Sequence, residues 1–104
     1  MIDPDLIDEA ARRIAAAAPG ARVILFGSHA RGEAGPDSDV DLLVVEPRVA
    51  DRFGEIVRLQ RVLAPLRLPA DVIVVSEAQV EEWGDVASTM LHDALREGRV
   101  VAKA

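Results

Sequence analysis

Three short apolar runs constrain this chain more than anything else in it: "ARVILFG" from Ala21, "DVDLLVVE" from Asp39 and "ADVIVVS" from Ala70. Each is rich in β-branched residues and bounded by Gly, Pro or Asp, which predicts a strand. The stretches between them carry helical spacing instead. In "DPDLIDEAARRIAAAAPG", Asp3 is positioned to cap a helix, Pro4 suits its first turn, and Pro19-Gly20 stop it. Leu6, Ile7, Ala10, Ile14 and Ala17 or Ala18 form its apolar stripe. Gly27 ends the first strand, and Ser28 is placed to cap a brief helix, "HARGEA", closed by "GPDS". "ADRFGEIVRLQRVLAPL" predicts a longer helix with Phe53, Ile56, Val57, Leu59 or Gln60, Leu63 and Leu66 toward the core. "EAQVEEWG" and "DVASTMLHDALREG" predict two more helices, and "RVVAKA" a small edge strand.

Alternation of this kind makes an α/β layered (α+β) fold, with helices packed on a sheet of three to four strands. The turn between the first two strands is too short to require a parallel crossover, so a mixed sheet is expected. With 104 residues the chain supports one domain, 1–104, and one modest core. Eighteen acids against twelve bases give a net charge of −6, which argues against direct nucleic-acid binding. No apolar run approaches the length of a membrane span. The acidic, amphipathic N-terminus is unlike a signal peptide. Cysteine is absent, which excludes disulfides and thiolate metal sites and fits a cytoplasmic protein.

The second strand poses a chemical question. Asp39 and Asp41 lie two residues apart at its mouth and so project from one face. Asp71 opens the third strand in the same way; placed beside the second, it brings a third carboxylate to the same corner. Three acids there repel one another unless a cation intervenes, and hard oxygen ligands suit Mg²⁺. Two such ions, about 4 Å apart, clamp the attacking and leaving oxygens of a phosphoryl displacement. Gly27 lets a phosphate approach the backbone, and the helix start after it offers N–H groups, with the Ser28 hydroxyl as a further donor. Together these would hold a nucleoside triphosphate, and positioning with charge neutralisation is most of what phosphoryl transfer needs.

Each part alone has a plain structural explanation: a turn and cap at Gly-Ser, a solvated strand end at Asp-x-Asp, a turn residue at Asp71. Their combination in this order, with ten residues between Gly-Ser and Asp-x-Asp, is far more specific. "FGSHARGEAGPDSDVDLLVV" resembles the signature of the minimal nucleotidyltransferases, the stand-alone MNT group of the DNA polymerase β superfamily. The third Asp in "ADVIVV" and, less specifically, "MLHDALREGRVV" extend the resemblance over most of the chain. It implies the polymerase β-like nucleotidyltransferase fold. It also implies Gly27 and Ser28 as the triphosphate-gripping pair, Asp39 and Asp41 as metal ligands, and Asp71 as the third carboxylate, helping to activate the attacking hydroxyl.

The resemblance further implies transfer of a nucleoside monophosphate from a triphosphate such as ATP, with pyrophosphate leaving. Members of this group pair with HEPN-domain ribonuclease toxins and add AMP to a toxin tyrosine. This chain contains no tyrosine, so such an acceptor lies elsewhere. A non-catalytic antitoxin acting by occlusion, and a small-molecule nucleotidyltransferase of the antibiotic-modifying kind, are the alternatives. The lack of a C-terminal acceptor-binding domain counts against the latter, unless a homo-oligomer supplies the other wall.

Further residues are weighed individually. Arg31 is placed to meet either a phosphate oxygen or a surface carboxylate. Asp37 is expected to form the turn, leaving Ser38 to reach phosphate or metal-bound water. His29 is expected to be an exposed helix residue, and His92 a surface or satisfied histidine. Trp83 reads as a hydrophobic anchor before a base-stacking platform. Arg52, Arg58, Arg61 and Arg67 read as a solvated helix face, or as a patch for an acidic partner.

Overall fold

The computed structural model describes residues 2–35, 37–84 and 90–103. Helix α1 (Pro4–Ala17) starts where the sequence places it, with the Asp3 carboxylate accepting from the Asp5 N–H at 2.8 Å. Strand β1 (Arg22–Phe26) and the four-residue helix α2 (Ser28–Arg31) follow. Then come β2 (Val40–Glu46), α3 (Arg52–Leu63) with a short 3₁₀ turn at Ala64–Leu66, and β3 (Ala70–Ser76). Helices α4 (Glu77–Trp83) and α5 (Met90–Glu97) and strand β4 (Arg99–Lys103) complete the chain. The five residues 85–89 expected to begin the last helix lie outside the described residues.

The strands form one mixed sheet in the order β3-β2-β1-β4. β1 runs antiparallel to β2 and β4, and β2 runs parallel to β3. The expected mixed sheet, the placement of β3 beside β2 and the terminal edge strand are thus all present. The parallel pair is joined through α3, the kind of long crossover a parallel connection requires.

Alternate residues of the strands serve two cores. Val23, Leu25, Val40, Leu42, Val44, Val72 and Val74 pack with α1 and α3 on one face. Ile24, Leu43, Val45 and Val75 pack with Ala94 of α5 on the other, flanked by Phe26, Ile73, Val80, Leu91 and Leu95. Burial on both faces explains why β2 reads as a continuous apolar run. Among the described residues no helix is long and apolar enough to cross a membrane.

Several expectations need correction. Phe53 does not face the core: it is 78 % exposed, because it sits in the first turn of α3, before the helix reaches its buried positions Leu59 and Leu63. Trp83 is half-exposed at the end of α4 rather than a buried anchor. The cap of α2 is Gly27, with no side-chain cap bond, while Ser28 is already helical. Nor is Arg58 merely a solvated charge. Its guanidinium pairs with both oxygens of Glu55 at 2.6 and 2.7 Å and donates to the Ala17 carbonyl at 2.8 Å, tying α3 to the end of α1.

Candidate functional site

The site is assembled by strand register. Asp41 is the Cα partner of Asp71 on parallel β3 and of Phe26 on antiparallel β1, so Phe26, Asp41 and Asp71 form one row across the sheet. Directly paired residues share a face, and this is the face of Leu43, Val45 and Val75, beneath α5. Asp39 lies just before β2, exposed to solvent, as is Asp71, whereas Asp41 is partly buried.

The electrostatic consequence falls on Asp41. Its pKa is raised above the ordinary carboxylate value, first by burial and then by the negative charges of Asp71 and Asp39; His29 and Arg31 act in the opposite sense. Three carboxylates near one another with too little positive charge favour a cation. Among the described residues, no group of three or more His, Cys, Asp or Glu side chains is arranged to hold a metal ion by itself. The register pair Asp41 and Asp71 offers the one or two carboxylates that Mg²⁺ takes when water and substrate phosphate complete its octahedron.

Gly27 is required here for two separate reasons. Its φ of 73° and ψ of −157° lie in a region essentially restricted to glycine. A Cβ at this position would also overlap the Asp41 carboxylate. The end of β1 therefore passes directly against the acid row, and any side chain at residue 27 would displace the group the site is built around. Behind it, the Gly27 carbonyl accepts from the N–H groups of Ala30 and Arg31, both at 3.1 Å, which holds the α2 turn in place.

In the loop into β2, Asp37 lies in the turn as expected, and Ser38 closes it: its hydroxyl accepts from the Gly35 N–H at 2.9 Å, and its own N–H donates to the Gly35 carbonyl at 3.2 Å. The hydroxyl is thus engaged within the protein. Arg31 pairs with Glu33 at 3.0 Å and Glu97 at 3.1 Å, the second reaching across to α5. These bonds raise its already high pKa.

His29 was missed by sequence reasoning. It is only partly exposed, its Nε2 lies 3.1 Å from the Ser38 carbonyl, and its charge acts on Asp41. A histidine nine residues from its partner gives no local pattern; only its proximity to the Gly-Ser turn marks it. His92 is partly buried, with Nδ1 3.4 Å from an Asp93 carboxylate oxygen.

The site is thus a glycine turn pressed against Asp41, whose register partner Asp71 lies on the adjacent parallel strand. A family model described as "Nucleotidyltransferase domain" matches residues 7–94, and the chain belongs to that family. Among solved structures, a Sulfolobus solfataricus protein described as a nucleotidyltransferase is 23 % identical with a TM-score of 0.64, covering 92 % of this chain and 76 % of its own. A toxin–antitoxin structure with AMP-PNP is 20 % identical with a TM-score of 0.60, covering 99 % and 75 %. A tri-AMPylated Shewanella oneidensis HEPN toxin in complex with its MNT antitoxin matches at 19 % identity and a TM-score of 0.55, covering 96 % and 69 %. Comparison with curated protein sequences returns no match. At these identities the structural likeness speaks for the fold.

Proposed function

We propose that this chain is a cytoplasmic, Mg²⁺-dependent adenylyltransferase that moves AMP from ATP to a tyrosine of a HEPN-type toxin, acting as the antitoxin of the pair. The observation that carries this reading is the register of Asp41 with Asp71, with the Asp41 carboxylate directly against the side-chain-free turn at Gly27. The association of similar folds with toxins, one of them an AMPylated HEPN toxin, supports the choice of acceptor.

Asp39, Asp41 and Asp71 would hold the magnesium, two ions in the full set, which supplies charge neutralisation at the triphosphate. Gly27 and Ser28 would receive the phosphates, the glycine by leaving the backbone open and the serine by donating its hydroxyl. Arg31 would reach a phosphate oxygen by exchanging a carboxylate partner, and Ser38 would act by shaping the loop that presents Asp39. Asp71 would accept the hydrogen of the attacking hydroxyl. A new bond then forms between that oxygen and the α-phosphorus, the bond from α-phosphorus to the bridging oxygen breaks, and pyrophosphate leaves with its electrons.

The test is transfer of label from α-labelled ATP, with Mg²⁺, to a HEPN-domain protein encoded beside this chain. Label that appears on the partner and is lost with Asp39→Ala or Asp41→Ala supports the assignment. An unlabelled partner, still neutralised by the Asp39→Ala, Asp41→Ala double variant, would instead establish a binding-only antitoxin.

A further inference from the structure

Next to the acid row, chiefly on the same face of the sheet and reaching Val74 and Arg52 as well, lies a cavity of about 140 Å³. Its apolar lining among the described residues includes Phe26, Leu43, Ile73, Val75, Leu91 and Ala94, and Arg52 contributes the one charged side chain. Phe26 belongs to the carboxylate row itself, as the register partner of Asp41. Leu43 and Ile73, partners of each other, form the next row, two residues beyond Asp41 and Asp71. The two rows are therefore about 6.6 Å apart along the strands. Phe26, Ile73 and Leu91 are only partly buried, so the lining is reachable from solvent.

We propose that this cavity seats one aromatic ring, the phenol of the acceptor tyrosine, and that Phe26, Leu43 and Ile73 select an aromatic hydroxyl over an aliphatic one. The inference rests on the adenylyltransferase reading and specifies its acceptor site. Size is the first argument. An apolar cavity of about 150 Å³ is known to accept benzene, so this one fits a single six-membered ring, whereas the fused rings of a purine exceed it. Direction is the second. A ring lying over Leu43 and Ile73 carries its hydroxyl toward the row of Asp41 and Asp71, where the hydrogen is to be given up. A serine or threonine side chain reaching the same carboxylates would leave the apolar lining without contact, forfeiting the burial that a ring supplies. The absence of tyrosine from this chain leaves the seat without an internal occupant of that kind.

The probe is p-cresol, titrated into methyl-labelled protein and followed by NMR, with adenosine in parallel. Saturable shifts of the Leu43, Ile73 and Leu91 methyls by p-cresol, absent with adenosine, are expected. Ile73→Phe fills the cavity from within and raises the apparent Kd for p-cresol at least tenfold. Leu91→Phe does the same from α5, should the first variant not fold. In the transfer assay, either variant raises KM for a tyrosine peptide more than it lowers kcat. No p-cresol shifts in folded wild-type protein, or adenosine shifting the same methyls, overturns the proposal. A chain that labels a partner yet ignores p-cresol keeps the enzymatic reading and loses this one. A chain that binds p-cresol but labels neither tyrosine peptide nor HEPN protein loses both the acceptor role and the enzymatic reading.

Discussion

Replacing Glu46 by Gln tests the electrostatics of the fold at a point remote from the acid row. Glu46 ends β2 and is only 8 % exposed, and its Oε2 makes no hydrogen bond. Burial, followed by the adjoining Glu55 carboxylate, pushes its pKa up to about 7. Glu55 moves the other way, held low chiefly by its bonds to Arg58 and then by Glu46. Because the Glu46 carboxyl binds its proton more tightly folded than unfolded, the native state holds the extra proton between the ordinary value of 4.5 and about 7. Stability from this group is therefore undiminished below pH 4.5 and lost as pH rises toward and past 7. The full penalty at pH 8 is about 3 kcal/mol at most, at 1.36 kcal/mol per pK unit.

Gln keeps a neutral side chain that can donate to Glu55 at every pH. Urea unfolding of wild type and Glu46→Gln should agree closely at pH 5. At pH 8 the variant should be more stable, its midpoint higher by at most about 1–3 M for a urea m-value of roughly 1–3 kcal/mol/M. The difference between the two proteins cancels every titration that they share. A stability difference that is the same at pH 5 and pH 8 would refute a neutral buried Glu46.

Four other outcomes follow from the same contacts. Asp41→Asn should lower AMP transfer by about 10²-fold or more while raising Tm, since it removes a partly buried charge facing Asp39 and Asp71; calorimetry and the label assay read the two effects separately. Gly27→Ala should abolish transfer and cost about 1–2 kcal/mol or more from its positive φ, aggravated by overlap with Asp41, as denaturation would show. Arg58→Ala should destabilise by no more than about 1 kcal/mol, because water can replace the exposed donor that the Ala17 carbonyl and Glu55 lose; urea melts measure it. Phe53→Ser should change stability by no more than about 0.5 kcal/mol, in keeping with a ring 78 % exposed.

The strands and the carboxylates were legible because both follow a local rule. Apolar β-branched runs announce strands, and a two-residue spacing puts Asp39 and Asp41 on one side whatever the rest of the chain does. Helix α1 was legible for the same reason, since Asp3, Pro4 and Pro19-Gly20 act on their immediate neighbours. Phe53 was misplaced because helical spacing gives a residue's angle around the axis but not how far along that axis the sheet continues. The bond that the Ser38 hydroxyl accepts was not legible, because it depends on the Gly35 amide that the loop brings back to it.

What the sequence determined by itself was the set of elements, the mixed sheet and the identity of the acids, all consequences of steric and hydrophobic preferences over a few residues. Tertiary structure alone decided that Asp41 pairs with Asp71, that Gly27 lies against Asp41, and that Phe26, Leu43 and Ile73 line a ring-sized space beside the pair. Those facts depend on which strands become neighbours and in what register. Register is a property of the packed sheet, set where both faces must be buried at once.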